Sequence, residues 1–308
     1  MRYTFMNIRK IFFMVVAVPA LFFCSCNKFE GEQTIPSYIS IDSIAVVNDP
    51  AHSLSNFEGC FTSNINAVQI TLKNSQENHL LGAFELPCKV PVLREGSYNV
   101  EILPVIKQNG IAATRSAYPF YRTIVLKNQT FTKDSCVNLG VQKTYYEPFM
   151  RKVWEEYFEP EIPNLSLPDT IVRRISAADT VRSDRGCGAI YVKPNSSVAF
   201  YTNNEFTVTD NAALFLELDY WTNIPFRVGL KSRTSSGSNY GVTFAVTLNP
   251  NMGKGWNKIY IQLGKLWSQY NFYKTFYLAF QAVNETSSVG KVYVDNIKLT
   301  SYDDGNKK

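Results

Sequence analysis

The run GKVYVDNIKL at residues 290–299 decides the fold. Val292 and Val294, then Ile297 and Leu299, alternate with polar or aromatic neighbours, and a glycine opens the run, so it reads as a strand. Seven further runs of this kind precede it: GAIYVKP, SSVAFYT, ALFLELDYWT, FRVGLKSR, YGVTFAVTL, WNKIYIQLG and TFYLAFQAV. Eight strands with regular turns over about 115 residues, and no long helical period, predict a two-sheet antiparallel jelly roll over 186–302.

The preceding half reads the same way, so the fold class is all-β. SYISIDSIAVV (37–47) alternates isoleucine with polar residues, and AVQITLK (67–73) does likewise. GAFELPCKVPVLREGSYNVEILPVI (82–106) gives a short strand, a proline-bounded turn, a turn at Glu95-Gly96 and a strand at 98–103. In GIAATRSAYPFYRTIVL (110–126), Arg115, Tyr118, Phe120, Tyr121 and Arg122 gather around one proline. That pattern suits a sandwich edge with amphipathic aromatics, or a partner-binding loop. Residues 146–185 read as a connecting segment and entry strand, because 160–185 hold three prolines, several charges and few aromatics.

Two resemblances sharpen this. Gly82, Pro91, Leu93, Gly96, Tyr98 and Val100 follow a pattern that resembles the PEGA type of small β-sandwich in bacterial surface proteins. It implies an Ig/PEGA-like sandwich over 37–145. GKVYVDNIKL and GWNKIYIQLGKLW (255–267) resemble strands of jelly-roll, galactose-binding-like carbohydrate-binding modules. In such modules a calcium ion often ties an early Phe-Glu to the closing Asp, and Glu159 and Asp295 stand at the matching places. Calcium takes six to eight oxygens. Two residues do not supply them, so no metal or other cofactor is expected. Sugar binding would use aromatic faces: Trp267, Tyr270, Phe272 and Tyr273, with Gln269 and Asn271 between them, form the densest group. Trp221 and Tyr220 come second. Trp256 falls where this fold buries an aromatic and is assigned to the core, and a core reading competes for Trp267 as well.

The N-terminus sets the expected location. Residues 1–10 carry Arg2, Arg9 and Lys10 with no acid, and 11–23 are an apolar run of 13. That is too short for a bilayer span of about 20 helical residues, and suits a secretory signal over 1–25. Ser25 followed by Cys26 resembles the lipobox of bacterial lipoproteins, which makes Cys26 the acylated N-terminus of a tether over 26–36. Lys28, Glu30 and Glu32 resemble the start of Bacteroidota surface lipoproteins, implying an outer-membrane location facing outward. Ser43, Thr170 and Thr180 sit in Asp-Ser/Thr-apolar triplets like the O-glycosylation sites of that group. Residues 303–308 are a tail.

Without residues 1–25 the chain carries 28 basic and 26 acidic residues, with no basic block, so nucleic acid is not an expected partner. Cys60, Cys88, Cys136 and Cys187 are isolated and only two histidines exist, which argues against zinc; small buried apolar roles are expected for these cysteines. A glycoside hydrolase needs two carboxylates at a set separation, and Glu217, Asp219 and Glu285 are the acids left open for that. No nucleophile motif or phosphate loop accompanies them.

The resulting expectation is a non-catalytic outer-membrane lipoprotein that serves as an accessory or docking subunit of an outer-membrane protein complex. Glycan binding by the jelly roll is the alternative, with polysaccharide as partner. The anchor is testable: Cys26→Ala should leave the precursor unprocessed at this site and move the protein out of the detergent phase on Triton X-114 partitioning. Wild-type partitioning of that variant would contradict a lipid anchor.

Overall fold

The computed structural model describes residues 34–52, 61–159, 164–166, 171–172, 182, 186–208, 213–233, 240–269 and 275–302. The first half contributes β1 (Ser37–Val46), β2 (Ala67–Lys73), β3 (Asn78–Glu85), β4 (Cys88–Val92), β5 (Gly96–Lys107), β6 (Arg115–Ala117), β7 (Ile124–Phe131) and β8 (Cys136–Thr144). One sheet runs β4–β1–β8, with β1 and β8 parallel; the other runs β3–β2–β5, with both β6 and β7 on β5. The alternation read in the sequence sorts Ile39, Ile41, Val68, Ile70, Val100 and Ile102 into one buried cluster.

The second half contributes β9 (Met150–Glu156), β10 (Leu165–Ser166), β11 (Ile171–Val172), β12 (Gly188–Val192), β13 (Ser196–Thr202), β14 (Phe206–Thr207), β15 (Phe215–Thr222), β16 (Phe226–Arg233), β17 (Tyr240–Leu248), β18 (Asn257–Gln262), β19 (Thr275–Asn284) and β20 (Gly290–Tyr302). The eight runs read from the sequence are β12, β13 and β15 to β20. Together with β9, β10, β11 and β14 they form two six-stranded sheets among the described residues. One is ordered β10–β13–β19–β16–β17 with β14 on β19, and the other β11–β12–β20–β15–β18 with β9 on β20. Every pairing in this half is antiparallel. Leu216, Leu218, Val292 and Val294 from one sheet meet Phe200, Phe226 and Phe280 from the other in a single core, where Phe200 stacks on Phe280 at 5.1 Å.

The opening stretch explains itself here. Its apolar residues change phase between Val294 and Ile297 because β20 carries a bulge, with Asn296 at φ 48° and a register shift opposite Leu218. The bulge keeps Val292, Val294, Ile297 and Leu299 in the core.

A helix that the strand pattern did not predict, α1 (Gly264–Gln269), follows β18. It turns Trp267 inward: the indole is 2% exposed and packs on Phe276 at 4.8 Å. The two halves also pack together. Asn109 donates its backbone N–H to the Tyr260 carbonyl at 2.8 Å and accepts from the Gln262 N–H at 3.0 Å, and Ala213, Phe215 and Tyr260 belong to the first half's buried cluster.

Candidate functional site

The two sheets of the second half have outer faces of different fate. Phe215, Glu217, Asp219 and Trp221 alternate outward along β15, opposite the core-facing Leu216 and Leu218. The first half covers much of that face. Glu217 is fully buried; its carboxylate accepts from Tyr118 Oη at 2.7 Å and from Tyr146 Oη at 3.0 Å, and pairs with Lys258 Nζ at 3.3 Å. Tyr121 and Tyr260 share a hydroxyl contact of 2.9 Å, and the Asn64 backbone N–H donates to Tyr260 Oη at 3.0 Å. Burial first, and the Glu217 charge second, hold the phenols of Tyr118, Tyr121, Tyr146 and Tyr260 protonated far above the ordinary tyrosine range.

Next to this lies a second charged group. Asp219 accepts from Thr62 Oγ1 at 2.5 Å and Asn296 Nδ2 at 3.2 Å, and Arg182 Nε lies 3.8 Å from its other oxygen. Burial pushes the Asp295 carboxyl up to about 8, with the charges of Asp219 and Glu159 adding to the rise and the Asn296 N–H and Lys258 opposing it. Burial likewise lowers the Lys298 ammonium to about 8, with the Lys258 charge acting the same way. The carboxylates at the calcium positions are thus within electrostatic reach of one another. Yet no group of three or more His, Cys, Asp or Glu among the described residues could hold a metal ion, and Lys258 supplies positive charge beside them. The residues do not fit a calcium site.

The sequence-derived candidates fare unevenly. Tyr118 and Tyr121, expected at an edge or partner loop, are 1% and 2% exposed, because the surface they bind is the chain's own second half. Arg115 pairs with Glu85 at the surface, and Arg122 with Asp49 at 2.9 Å. Trp267 belongs to the core and presents no face to a ligand. Tyr220 is buried too. Trp221 lies on the outer face beside Trp256 and Tyr293, its indole N–H donating to the Met252 carbonyl at 2.9 Å. Trp256 is therefore not in the sandwich core, which corrects its assignment: it is partly exposed on the outer face. Glu217 and Asp219 are sealed beneath the first half, while Glu285 borders an open hollow of about 350 Å³ with Asn195, Ser197 and Asn284. Ser43 is exposed on β1. Cys187 is buried and Cys88 half-buried, whereas Cys136 is exposed, contrary to the buried role expected for it. Cys26, Cys60, Thr170, Thr180, Tyr270, Phe272 and Tyr273 lie outside the described residues.

The outer face of the other sheet carries the group that sequence reading missed. Cross-strand register places Tyr201, Ala279, Gly229 and Phe244 in one row across β13, β19, β16 and β17. Tyr277, Lys231 and Val242 form the next row on one side; Ala199, Gln281, Arg227 and Thr247 form the row on the other. The small residues in the central row let long side chains lie flat. Lys231 Nζ sits 4.0 Å from the Tyr201 ring centre, 5.2 Å from Tyr240 and 5.4 Å from Tyr277. The Arg227 guanidinium lies 5.8 Å over Phe244 and donates to Gln281 Oε1 at 3.3 Å. Tyr240, 43% exposed, donates to Glu205 at 2.7 Å. Burial, then the Glu205 charge, raise the Tyr277 phenol. Only the outward alternation of these strands pointed to this surface in the sequence.

No family model and no curated relative matches the chain. Among solved structures, it is similar to one of carbohydrate-binding modules from the β-sandwich superfamily (TM-score 0.34, 11% identity, covering 75% of this chain and 84% of that one). It is also similar to the family 11 carbohydrate-binding module of a cellulosomal cellulase of Clostridium thermocellum (0.30, 14%, 49% and 93%) and to the K2 cleaved adhesin domain of Lys-gingipain (0.32, 15%, 48% and 99%). Scores of this size carry no inference about function.

The buried charges make a pH prediction. The raised Asp295 contributes stability that is present below about pH 4 and lost as pH rises to about 8, at a slope of up to roughly 1.4 kcal/mol per pH unit. Lys298 acts in the opposite sense, its contribution returning from about pH 8 to above 10. Chemical denaturation from pH 4 to 8 should show a declining stability that Asp295→Asn flattens. The same slope in both proteins would refute the assignment.

Proposed function

We propose that this chain is a non-catalytic, lipid-anchored outer-membrane protein that binds a glycan on the open face of the β13–β19–β16–β17 sheet. The observation that carries the reading is the composition of that face. Tyr201, Tyr240, Phe244 and Tyr277 offer rings on which the apolar face of a pyranose can stack, and Gln281, Lys231, Arg227 and Glu205 offer hydrogen-bonding groups between them. Adjacent strands stand about 4.8 Å apart, so the four strands span roughly 14 Å, enough to seat an extended chain lying across a flat platform. The platform belongs to a rigid two-sheet core, which preorganises it.

Docking onto a protein partner has less to rest on. Its aromatic residues in the first half are spent on the junction, and Trp267 is spent on the core. The tether from Cys26 would place the binding face outside the membrane, where polysaccharide is met.

Affinity electrophoresis through a panel of soluble polysaccharides tests this. Wild-type protein should be retarded by at least one of them. Tyr201→Ala and Tyr277→Ala should each weaken that retardation by about tenfold, which is roughly 1.4 kcal/mol, with little change in melting temperature because both rings lie outside the core. Absence of retardation in wild type, or equal retardation of the variants, would overturn the proposal.

A further inference from the structure

We infer that the glycan taken by this face is acidic, bearing carboxylate or sulfate groups along its chain. The inference rests on the glycan reading above and adds the chemical class of ligand.

The outward positions of β16 are Arg227, Gly229, Lys231 and Arg233. Every side chain on that row is cationic. Successive outward residues on a strand lie about 7 Å apart, so the charges form a ladder running through the middle of the aromatic platform. Gly229, in the gap of the ladder, is imposed by the neighbouring strand: a Cβ there would stand 2.1 Å from the backbone oxygen of Thr243.

Several basic side chains away from this face meet carboxylates, Lys73 with Glu101 at 2.7 Å, Lys152 with Glu155 at 2.7 Å, Arg122 with Asp49 at 2.9 Å and Lys258 with Glu217 at 3.3 Å, while Lys89 lies over the Tyr38 ring at 4.7 Å. Lys231 rests on three phenol rings, and Arg227 on a phenyl ring and an amide. Ring faces and amides orient a cation without neutralising it. The acid placed against this platform among the described residues is Glu205, which bonds Tyr240 at its margin. A neutral sugar chain calls for amides and hydroxyls. Lys231 and Arg227, cations held against rings and an amide, call for a chain carrying both pyranose faces and negative charge.

The experiment uses the full chain in affinity electrophoresis and calorimetry with four probes: polygalacturonate, chondroitin sulfate, neutral galactan and single-stranded DNA. Lys231→Met and Arg227→Gln are compared with Lys73→Met, a distant control in the first half. The expected result is binding to polygalacturonate or chondroitin sulfate at least tenfold tighter than to galactan, weakening with added salt and reduced fivefold or more by Lys231→Met. Which of the two acidic probes wins distinguishes carboxylate from sulfate. Equal binding of galactan, or indifference to Lys231→Met, would overturn the acidic class and leave the glycan reading standing. No binding to any of the three polysaccharides would overturn both. DNA bound as tightly as the acidic polysaccharides would reveal charge attraction without sugar recognition, and would also overturn the inference.

Discussion

A carboxylate with no access to water organises this molecule. Glu217 sits at the junction of the two halves, and an uncompensated charge there would be strongly destabilising. Two phenols and one ammonium meet it, two of the three partners from residues after β5 and one from β18. Tyr118 and Tyr146 reach it only if the halves dock in one orientation. Loss of the Lys258 ammonium would leave the charge without its counter-ion in a low-polarity interior, at a cost of roughly 3–5 kcal/mol for a broken buried pair. The aromatic contacts around it, such as Tyr118 on Phe215 at 5.2 Å and Phe120 on Tyr302 at 5.4 Å, supply the burial that makes the polar geometry worth fixing.

That constraint assigns the faces. A sandwich has two outer surfaces, and docking of the first half consumes much of the one on the β15–β20 side. Charges there are paired inward with tyrosines, asparagines and each other. The opposite sheet keeps its face, and the chemistry changes with it: cations lie on rings and amides, and the phenols of Tyr240 and Tyr277 point to Glu205 instead of into a sealed junction. The two faces use the same residue types for opposite ends, one to close a surface and one to present it.

Much of the fold was legible in the sequence because alternation at period two is a direct imprint of a buried face. Eight strands of the second half could be read in this way, including β20, whose broken phase at Asn296 marks its bulge. The candidate surface was much less legible. Tyr118 and Tyr121 carry the same outward, amphipathic signature whether they meet a foreign partner or the chain's own second half. Trp267 sits in an aromatic run that left both a surface and a core role open, and one short helix turns it into the core. Tyr201, Lys231 and Tyr277 come from three strands spread over 76 residues, so only the β13–β19–β16 pairing brings them together. Local composition detects clusters along the chain; a sheet makes clusters across it.

The claim that the open face is the binding face is tested most directly by hydroxyl-radical footprinting with and without saturating polysaccharide. Oxidation of Tyr201, Tyr240, Phe244 and Tyr277 should fall on binding while that of Trp221 and Trp256, on the opposite sheet, stays constant. Protection of Trp221 and Trp256 with no change at the four platform rings would contradict the account.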